Sequence, residues 1–334
     1  CIMKQKIRVG VNGFGRIGRY FTRLALLHDQ IDVAVVNDIS DIKTLAHLLK
    51  YDSIHGIFPL EFTIENDQLK FSNGKLIRFT CEKDPAIIPW GANNVETVIE
   101  STGLFLTKEL TSKHLTAGAK KVIISAPAKD DDIVTVVLGV NEEVLLNKPQ
   151  IISNASCTTN NAAPMVMVME KICKIESAYI TTIHSFTSDQ RLHDAPHKDL
   201  RRARAATQSI VPTTTGAAKA ITKIFPDLEN KIGGCGVRVP VPDGSFTDLT
   251  MVVANPPSVE EINKAMKEAS ETYLKGILAY TNDPIVSVDV LGNPNSCLFD
   301  ADLTSVINNM VKVVGWYDNE SGYSNRLIDL TLKF

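Results

Sequence analysis

Nothing in this chain approaches the roughly 18 consecutive apolar residues that mark a membrane-spanning helix. Nor is there an excess of basic charge. Its 35 lysines and arginines stand against 38 aspartates and glutamates, a net of −3, which argues against a dedicated nucleic-acid binder. Cysteines are few and scattered: Cys1, Cys81, Cys157, Cys173, Cys235 and Cys297, with no close C-x-x-C pair. Neither a zinc site nor a disulfide framework is expected from that spacing, and a reducing, cytoplasmic setting fits best. Internal repeats, low-complexity segments and flexible linkers are missing too. The N-terminus enters a strand pattern at once, so no secretory signal is expected; Cys1-Ile2 ahead of Met3 reads as a cloning or processing scar. What is present is 334 residues of which 44% are apolar, enough for two domains of ordinary size with full cores.

The first half alternates short apolar strands with helical patterns. Strands are expected at 7–12, 33–37, 95–100 and 121–125, and helices at 17–27, 42–51 and 108–117. This βαβ rhythm predicts a doubly wound, mostly parallel sheet. Between 60 and 83, Asn66-Asp67 and Asn73-Gly74 punctuate alternating segments, which predicts a small antiparallel excursion. After about residue 155 the rhythm changes. Strands are expected at 175–184, 236–240, 247–253, 285–290 and 311–316, with helices at 162–171, 217–224, 259–274 and a closing one at 321–332. The longer connections point to a mixed or antiparallel sheet carrying a large functional loop.

V-N-G-F-G-R-I-G-R at 11–19 contains Gly13-x-Gly15-x-x-Gly18. Alone, that pattern is weak evidence. Here it follows a strand, opens a helix, and Asp38 ends the next strand 20 residues beyond Gly18, as a dinucleotide fingerprint requires. The glycines permit a tight turn, and the helix N-terminus offers free N–H groups and positive dipole to a pyrophosphate. Asp38 would accept from the ribose hydroxyls and repel a 2′-phosphate, favouring NAD over NADP. A purely structural strand–turn–helix is the lesser alternative.

S-N-A-S-C-T-T-N-N at 153–161 places Cys157 between a strand-like and a helix-like run. A helix N-terminus lowers a thiol's pKa and favours thiolate. His184 ends the apolar run 178–184, a strand end that would point at a cleft. Cysteine and histidine distant in sequence can form a nucleophile–base pair. A buried cysteine and a satisfied histidine fit the spacing equally well. Further on, Thr187, Asp189, H-K-D-L-R-R-A-R (197–204) and T-T-T-G (213–216) form a polar, basic stretch. Arg201, Arg202 and Arg204 could be a nucleic-acid patch, a solvated face or an anion pocket, the first being least compatible with an acidic chain. Hydroxyls and a glycine backbone beside arginine suit phosphate, and Arg238 in G-V-R-V-P is another candidate.

These motifs, with L-A-H-L-L-K-Y-D-S-I-H-G, S-T-G-L-F, S-A-P-A-K, T-T-T-G-A-A-K-A and W-Y-D-N-E-S-G-Y-S-N-R, run from end to end of the chain. Together they resemble the phosphorylating glyceraldehyde-3-phosphate dehydrogenase family of bacterial type. The resemblance implies an α/β protein: a Rossmann NAD-binding domain at 1–156 with 318–334 returning to it, and an α+β catalytic domain at 157–317. It implies a homotetramer acting on D-glyceraldehyde 3-phosphate and inorganic phosphate, with NAD as cofactor, no metal, and no dedicated nucleic-acid or membrane partner. It makes Cys157 the nucleophile and His184 the base. Positions around the cofactor fall on Gly13, Gly15, Arg16, Ile17, Gly18, Asn37, Asp38, Lys83, Ser101, Ser125 and Asn319, the last orienting the nicotinamide carboxamide. The family's substrate-phosphate site falls on Thr187, Asp189 and Arg238, and its inorganic-phosphate site on Ser156, Thr158, Arg202, Thr215 and Gly216. The stretch 185–211 resembles the loop that packs on a neighbouring subunit's cofactor.

Two positions depart from the commoner pattern. Lys83 stands where many relatives have arginine, and Ala195 precedes Pro196 where NAD-specific relatives often have leucine. The rival reading is erythrose-4-phosphate dehydrogenase, which shares the thiol chemistry but releases the acid by hydrolysis. It tends to lack T-T-T-G and to carry methionine at the position of Thr187; both phosphate-binding features are present here.

Overall fold

A computed structural model describes residues 6–334; the Cys1-Ile2 pair ahead of Met3 lies outside the described residues. The chain divides into two compact units. The first holds residues up to 136, 143–155 and 324–334; the second holds 137–142 and 156–323.

The first unit is built on a nine-stranded sheet. Ile7–Asn12 lies at its centre with Ile31–Asn37 parallel on one side and Thr97–Glu100 parallel on the other. Lys121–Ile124, Ile151–Ser153 and Val134–Thr135 extend the parallel array beyond Thr97–Glu100. On the opposite flank Leu76–Thr80 is parallel, and the 60–83 excursion then adds Gln68–Phe71 and Phe62–Glu65 as antiparallel edge strands. The strands flanking the central one bury apolar residues on both faces (Val35 and Val36 on one strand, Val98 and Ile99 on the other). That is the pattern of a sheet covered by helices on two sides. Gly10 has no side chain because Trp90 occupies the space: a Cβ there would lie 2.4 Å from the indole. Burying that indole completely is worth roughly 4 kcal/mol by area.

The second unit is a seven-stranded mixed sheet. Ile175–Ser185 pairs parallel with Ile232–Val239 and antiparallel with Ser245–Val253. The sheet continues antiparallel through Met310–Tyr317 to Cys297–Ile307, and ends with Leu278–Thr281 parallel to the last. The long strand Cys297–Ile307 has no continuous apolar run, because Asp300 and Asp302 on one face alternate with Phe299, Ala301 and Leu303 on the other. A register shift falls between Asp300 and Ser305, and Asp300 is buried because it accepts from the Trp316 indole at 2.9 Å. The segment 285–290, expected as a strand, holds instead a short 3₁₀ helix, Ser287–Val290. There the Asp289 carboxylate accepts the Val286 N–H at 2.8 Å, a local turn that competes with strand pairing.

Helix Cys157–Ile172 packs on this sheet and starts five residues before the apolar run begins. The Ser156 hydroxyl caps it, accepting from Thr159 N at 3.1 Å, a cap worth about 1 kcal/mol. Thr158, Thr159, Asn160 and Asn161 are polar yet buried. Asn161 Nδ2 reaches the Gly315 and Trp316 carbonyls at 3.2 and 3.1 Å. Gly315 leaves room for this helix, since a Cβ there would sit 2.5 Å from Cys297 Sγ and 3.0 Å from Met165 Cε.

Candidate active site

In the first unit, the turn after Ile7–Asn12 has the shape that a phosphate needs. Gly13 has φ +91, and a Cβ there would press within 2.9 Å of Ser101 and Thr102 backbone and side-chain atoms. A Cβ on Gly18 would lie 2.1 Å from Gly13 O. Gly15 begins helix Arg16–Leu27 with no side-chain cap, and the space over it is open. The uncapped N-terminus therefore presents its dipole outward, and Ile17 lies in that first turn. The Arg16 side chain turns instead to Asp52, at 2.6 and 3.1 Å. Burial works against ionising Asp52, but the Arg16 hydrogen bond and the N–H groups of His55 and Ile54 outweigh it and hold the carboxyl at about 2. Ser101 Oγ donates to Gly13 O at 2.7 Å. Asp38 accepts from Phe14 N at 2.7 Å and Ser40 N at 2.9 Å, which fixes a negative charge beside the turn. An uncapped helix start, a glycine with open space and a ribose-accepting carboxylate fit a dinucleotide. Lys83 is exposed and Ser125 half-buried, its N–H donating to Glu100 O. Both ends of the Asn37 amide are used within the protein, as described below.

In the second unit the nucleophile and base candidates meet. Cys157 Sγ lies 3.4 Å from His184 Nε2. The sheet register sets this up: His184 is paired with Arg238 on the adjacent parallel strand, and Thr182, two residues earlier, faces the same way. Tyr317 binds that face, its hydroxyl 2.8 Å from Thr182 Oγ1 and 3.0 Å from Thr158 Oγ1. Its ring stands edge-on to the imidazole at 6.0 Å. Tyr317 thus ties the nucleophile's helix to the base's strand.

The other imidazole nitrogen has two neighbours with opposite demands. Nδ1 is 2.8 Å from Ser185 O, which can only accept. It is also 2.6 Å from Arg238 Nη1, which can only donate and which itself reaches Ser185 O at 2.9 Å. With Nδ1 protonated toward Ser185, Nε2 keeps a lone pair for the sulfur, and Arg238 crowds the ring. With Nδ1 accepting from Arg238, Nε2–H faces the sulfur. Burial, then Arg238, pushes His184 down to about 3. The sequence reading expected the helix N-terminus to lower the Cys157 pKa. Burial instead pushes the thiol up, while Arg238 and the Thr158 N–H and hydroxyl pull it back. Cys157 retains some exposed surface, which tempers the effect of burial.

Asn319 is held firmly. Its Oδ1 accepts from Ser185 Oγ at 2.8 Å and Ser245 Oγ at 2.7 Å. Ser245 Oγ accepts the Ser185 N–H at 3.1 Å and keeps its single proton for Asn319. Of the phosphate candidates, Arg202 and Asp189 are paired at 2.5 Å. Arg202 also donates to Thr213 Oγ1 at 2.9 Å. Ser156 serves as the helix cap and Thr158 binds Tyr317. Thr215 Oγ1 accepts from Ala217 N at 3.2 Å, beside Gly216, which starts helix Ala217–Ile224 without a side-chain cap. The Thr187 N–H lies 3.4 Å from Gln190 Oε1.

Sequence reasoning missed Tyr317, Ser185 and Ser245. Tyr317 adjoins Asp318-Asn319 in W-Y-D-N-E and Ser185 adjoins His184, so the first two were within reach of the motifs; Ser245 becomes visible only through strand register. The remaining cysteines have other roles or none. Cys297 and Cys173 are buried core thiols, and all five described cysteines are free.

The chain matches the family model "Glyceraldehyde 3-phosphate dehydrogenase, NAD binding domain" over residues 7–108. It matches the model of the same family's C-terminal domain over residues 156–319. It is 54% identical over 329 residues to glyceraldehyde-3-phosphate dehydrogenase 2 of Streptomyces avermitilis, covering 98% of each chain. It is 54% identical over 330 residues to the glyceraldehyde-3-phosphate dehydrogenase of Mycobacterium avium, covering 97% of each. With that of Priestia megaterium it shares 51% identity over 326 residues, again 97% of each. With both halves matched and nearly every residue aligned, the chain belongs to the glyceraldehyde-3-phosphate dehydrogenase family.

Proposed function

We propose that this chain oxidises D-glyceraldehyde 3-phosphate to 1,3-bisphosphoglycerate, using NAD and inorganic phosphate, through a thioester on Cys157. The observation that carries the reading is the 3.4 Å contact between Cys157 Sγ, on the first residue of a capped helix, and His184 Nε2. When bound, NAD supplies the acceptor for the hydride. Gly13, Gly15, Ile17, Gly18 and Asp38 would hold its adenosine and pyrophosphate half, with Lys83, Ser101 and Ser125 bordering it, and Asn319 would hold the carboxamide.

The chain's own residues do the following. Cys157 Sγ adds to the aldehyde carbon, its proton passing to His184 Nε2 and from there to the aldehyde oxygen, so that the hemithioacetal hydroxyl forms and Nε2 is free again. Nε2 then serves as the base for the hemithioacetal hydroxyl, a role worth roughly 10²–10⁴ in rate. The resting geometry suppresses this base, because Arg238 lies against Nδ1. A substrate phosphate that draws Arg238 away, together with Thr187 and Asp189, leaves Nδ1–H on Ser185 O and a basic Nε2. Inorganic phosphate, held by Ser156, Thr158, Arg202, Thr215 and Gly216, attacks the thioester carbon. The carbon–sulfur bond breaks, releasing the acyl phosphate and returning the thiolate. Dividing the reaction at the thioester replaces one hard step by two easier ones.

The same family reading makes the protein a homotetramer. Leu192, Leu200 and Ile210, exposed in the 185–211 stretch, suit a subunit contact, which light scattering tests. Among the described residues no helix is long and apolar enough to cross a membrane, and free cysteines suit a cytoplasmic protein.

The test follows absorbance at the NADH band with D-glyceraldehyde 3-phosphate, with NAD or NADP, with and without phosphate. NADH formation that requires phosphate and prefers NAD is expected. Turnover without phosphate would favour the erythrose-4-phosphate dehydrogenase type of hydrolysis. Cys157→Ser should lose nearly all turnover while still binding NAD; near-normal activity in that variant would sink the assignment.

A further inference from the structure

A row of polar residues crosses the first sheet at one level. Thr80, Asn37, Asn12 and Glu100 are direct register partners on four neighbouring parallel strands, each at or next to the carboxyl end of its strand. Such strand ends are where open α/β sheets bind ligands. Asn12, Asn37 and Glu100 are at most 3% exposed, so each polar atom needs a partner.

The partners form one continuous chain with a fixed direction. The Trp90 indole N–H, which can only donate, reaches His114 Nδ1 at 3.0 Å. His114 therefore donates from Nε2 to Glu100 Oε2, at 2.9 Å. Asn12 Nδ2 donates to the same oxygen at 2.7 Å. On the other oxygen, Oε1, Glu100 accepts the Thr102 N–H at 2.8 Å and the Thr102 hydroxyl. That hydroxyl's proton is committed to Glu100 because a carboxylate can only accept, while Thr102 Oγ1 itself accepts from Leu104 N. Four donors converge on one carboxylate. They force the Asn12 amide to present Oδ1 to the next strand, where Asn37 Nδ2 donates to it at 2.8 Å. Asn37 Oδ1 is then left to accept from Thr80 Oγ1 at 2.9 Å and Glu82 N at 2.8 Å, while Nδ2 also reaches Glu82 O at 2.9 Å.

Each link ends on a loop that borders the proposed dinucleotide site. The Asn37 carbonyl takes the Gly13 N–H at 2.8 Å, and Asp38 follows it in sequence. Asn37 clasps both backbone groups of Glu82, next to Lys83. Glu100 holds Thr102, next to Ser101, which bonds Gly13 O. The Asn37 side chain thus has no atom left for a ligand and acts through the loops it fixes.

We propose that Glu100, with its donor His114, is a positioning residue for the adenosine and pyrophosphate half of NAD. Its carboxylate dictates the orientation of both buried amides and thereby the relative placement of the Gly13 turn, Asp38 and the 81–83 loop. The proposal rests on the dinucleotide lying on this turn. Titration of the wild-type protein with NAD and with ADP-ribose tests that premise separately, and the ratio of variant to wild type tests the relay.

Glu100→Gln turns one acceptor oxygen into a donor, so at least one buried N–H or hydroxyl must lose its partner or an amide must reverse. Leaving such a group unsatisfied carries a cost that corresponds to about tenfold or more in affinity. Calorimetric titration of the protein without cofactor should show NAD and ADP-ribose weakened by the same factor, about tenfold or more. Iodoacetamide should alkylate Cys157 at the wild-type rate. A variant that unfolds at lower temperature yet binds ADP-ribose as the wild type does would reduce the relay to fold maintenance and overturn the proposal. So would a loss for NAD that ADP-ribose does not share. If Glu100→Gln does not fold, Thr80→Val serves in its place: it removes one hydroxyl donor to Asn37 Oδ1 at constant shape. A severalfold loss of ADP-ribose affinity supports the relay, and unchanged affinity refutes it.

Discussion

Asp243 offers a sharp test of the electrostatics around Asn319. Its neighbour Asp318 accepts three backbone N–H groups, from Gly292 at 2.7 Å, Glu320 at 2.8 Å and Ser321 at 2.7 Å, so Asp318 is the carboxylate of the pair. Asp243 is buried and accepts from Gly244 N at 2.8 Å. Burial first, then repulsion from Asp318 and Glu320, pushes it up to about 9. An acid whose folded pKa is raised holds a proton that the unfolded chain has released. Between the unfolded value, about 3.9, and that raised value, the folded state therefore binds one proton more. Its stability must fall as pH rises, by about 1.4 kcal/mol per pH unit. From pH 5 to pH 8 that amounts to about 4 kcal/mol. Asp243→Asn keeps the acceptor for Gly244 and a donor toward Asp318 but has nothing to titrate. Urea unfolding of both proteins at pH 5, 6, 7 and 8 should show the variant gaining on the wild type by about 1.4 kcal/mol at each step, other groups cancelling in the difference. A difference that stays flat with pH would refute the assignment of the proton to Asp243.

Two further outcomes follow from the catalytic unit. Ser185→Ala with Ser245→Ala removes both hydroxyls that fix the Asn319 amide. NAD affinity should fall about tenfold or more, and hydride transfer should lose facial selectivity, read by deuterium label in the recovered NADH; full selectivity would show that the serines do not set the amide. Arg238→Gln removes the cation against the imidazole. The His184 resonance in a histidine-labelled sample should then titrate above its resting value of about 3, and an unmoved titration would leave burial as the sole cause.

The parts of the molecule legible in sequence are those whose physics is local. Strand Ile7–Asn12 and helix Ala217–Ile224 have the expected bounds, because continuous apolar runs and helical periodicity need no distant partner. The apolar run of helix Cys157–Ile172 begins only at 162, because Thr158–Asn161 are polar yet buried; Thr158 and Asn161 find partners far away in sequence, and Thr159 and Asn160 bind Ser156. Strand Cys297–Ile307 was passed over because Asp300 and Asp302 interrupt its apolar residues, and Trp316, the partner of buried Asp300, lies on the next strand. The same limit applies to chemistry. Cys157 and His184 could be singled out by residue type and setting. Tyr317, the serines behind Asn319 and the row through Glu100 exist as sites only once register brings them side by side. Electrostatics failed in direction for Cys157, where a helix terminus is legible and burial is not.

The close contact at Gly315 bears on the sulfur itself. Met165 lies eight residues along the helix from Cys157, about 12 Å at the helical rise. At Gly315 the helix meets the sheet with no spare space, and Asn161 is bolted to the Gly315 and Trp316 carbonyls. The helix therefore behaves as a seated shaft: it can neither slide nor turn without a collision at Met165, Cys297 or Gly315. The alignment of thiol and imidazole, on which near-attack geometry depends, is referenced to a point in the core that no substrate reaches. Damage there, such as conversion of Met165 to its bulkier, polar sulfoxide, would shift the nucleophile before it altered any group in the pocket.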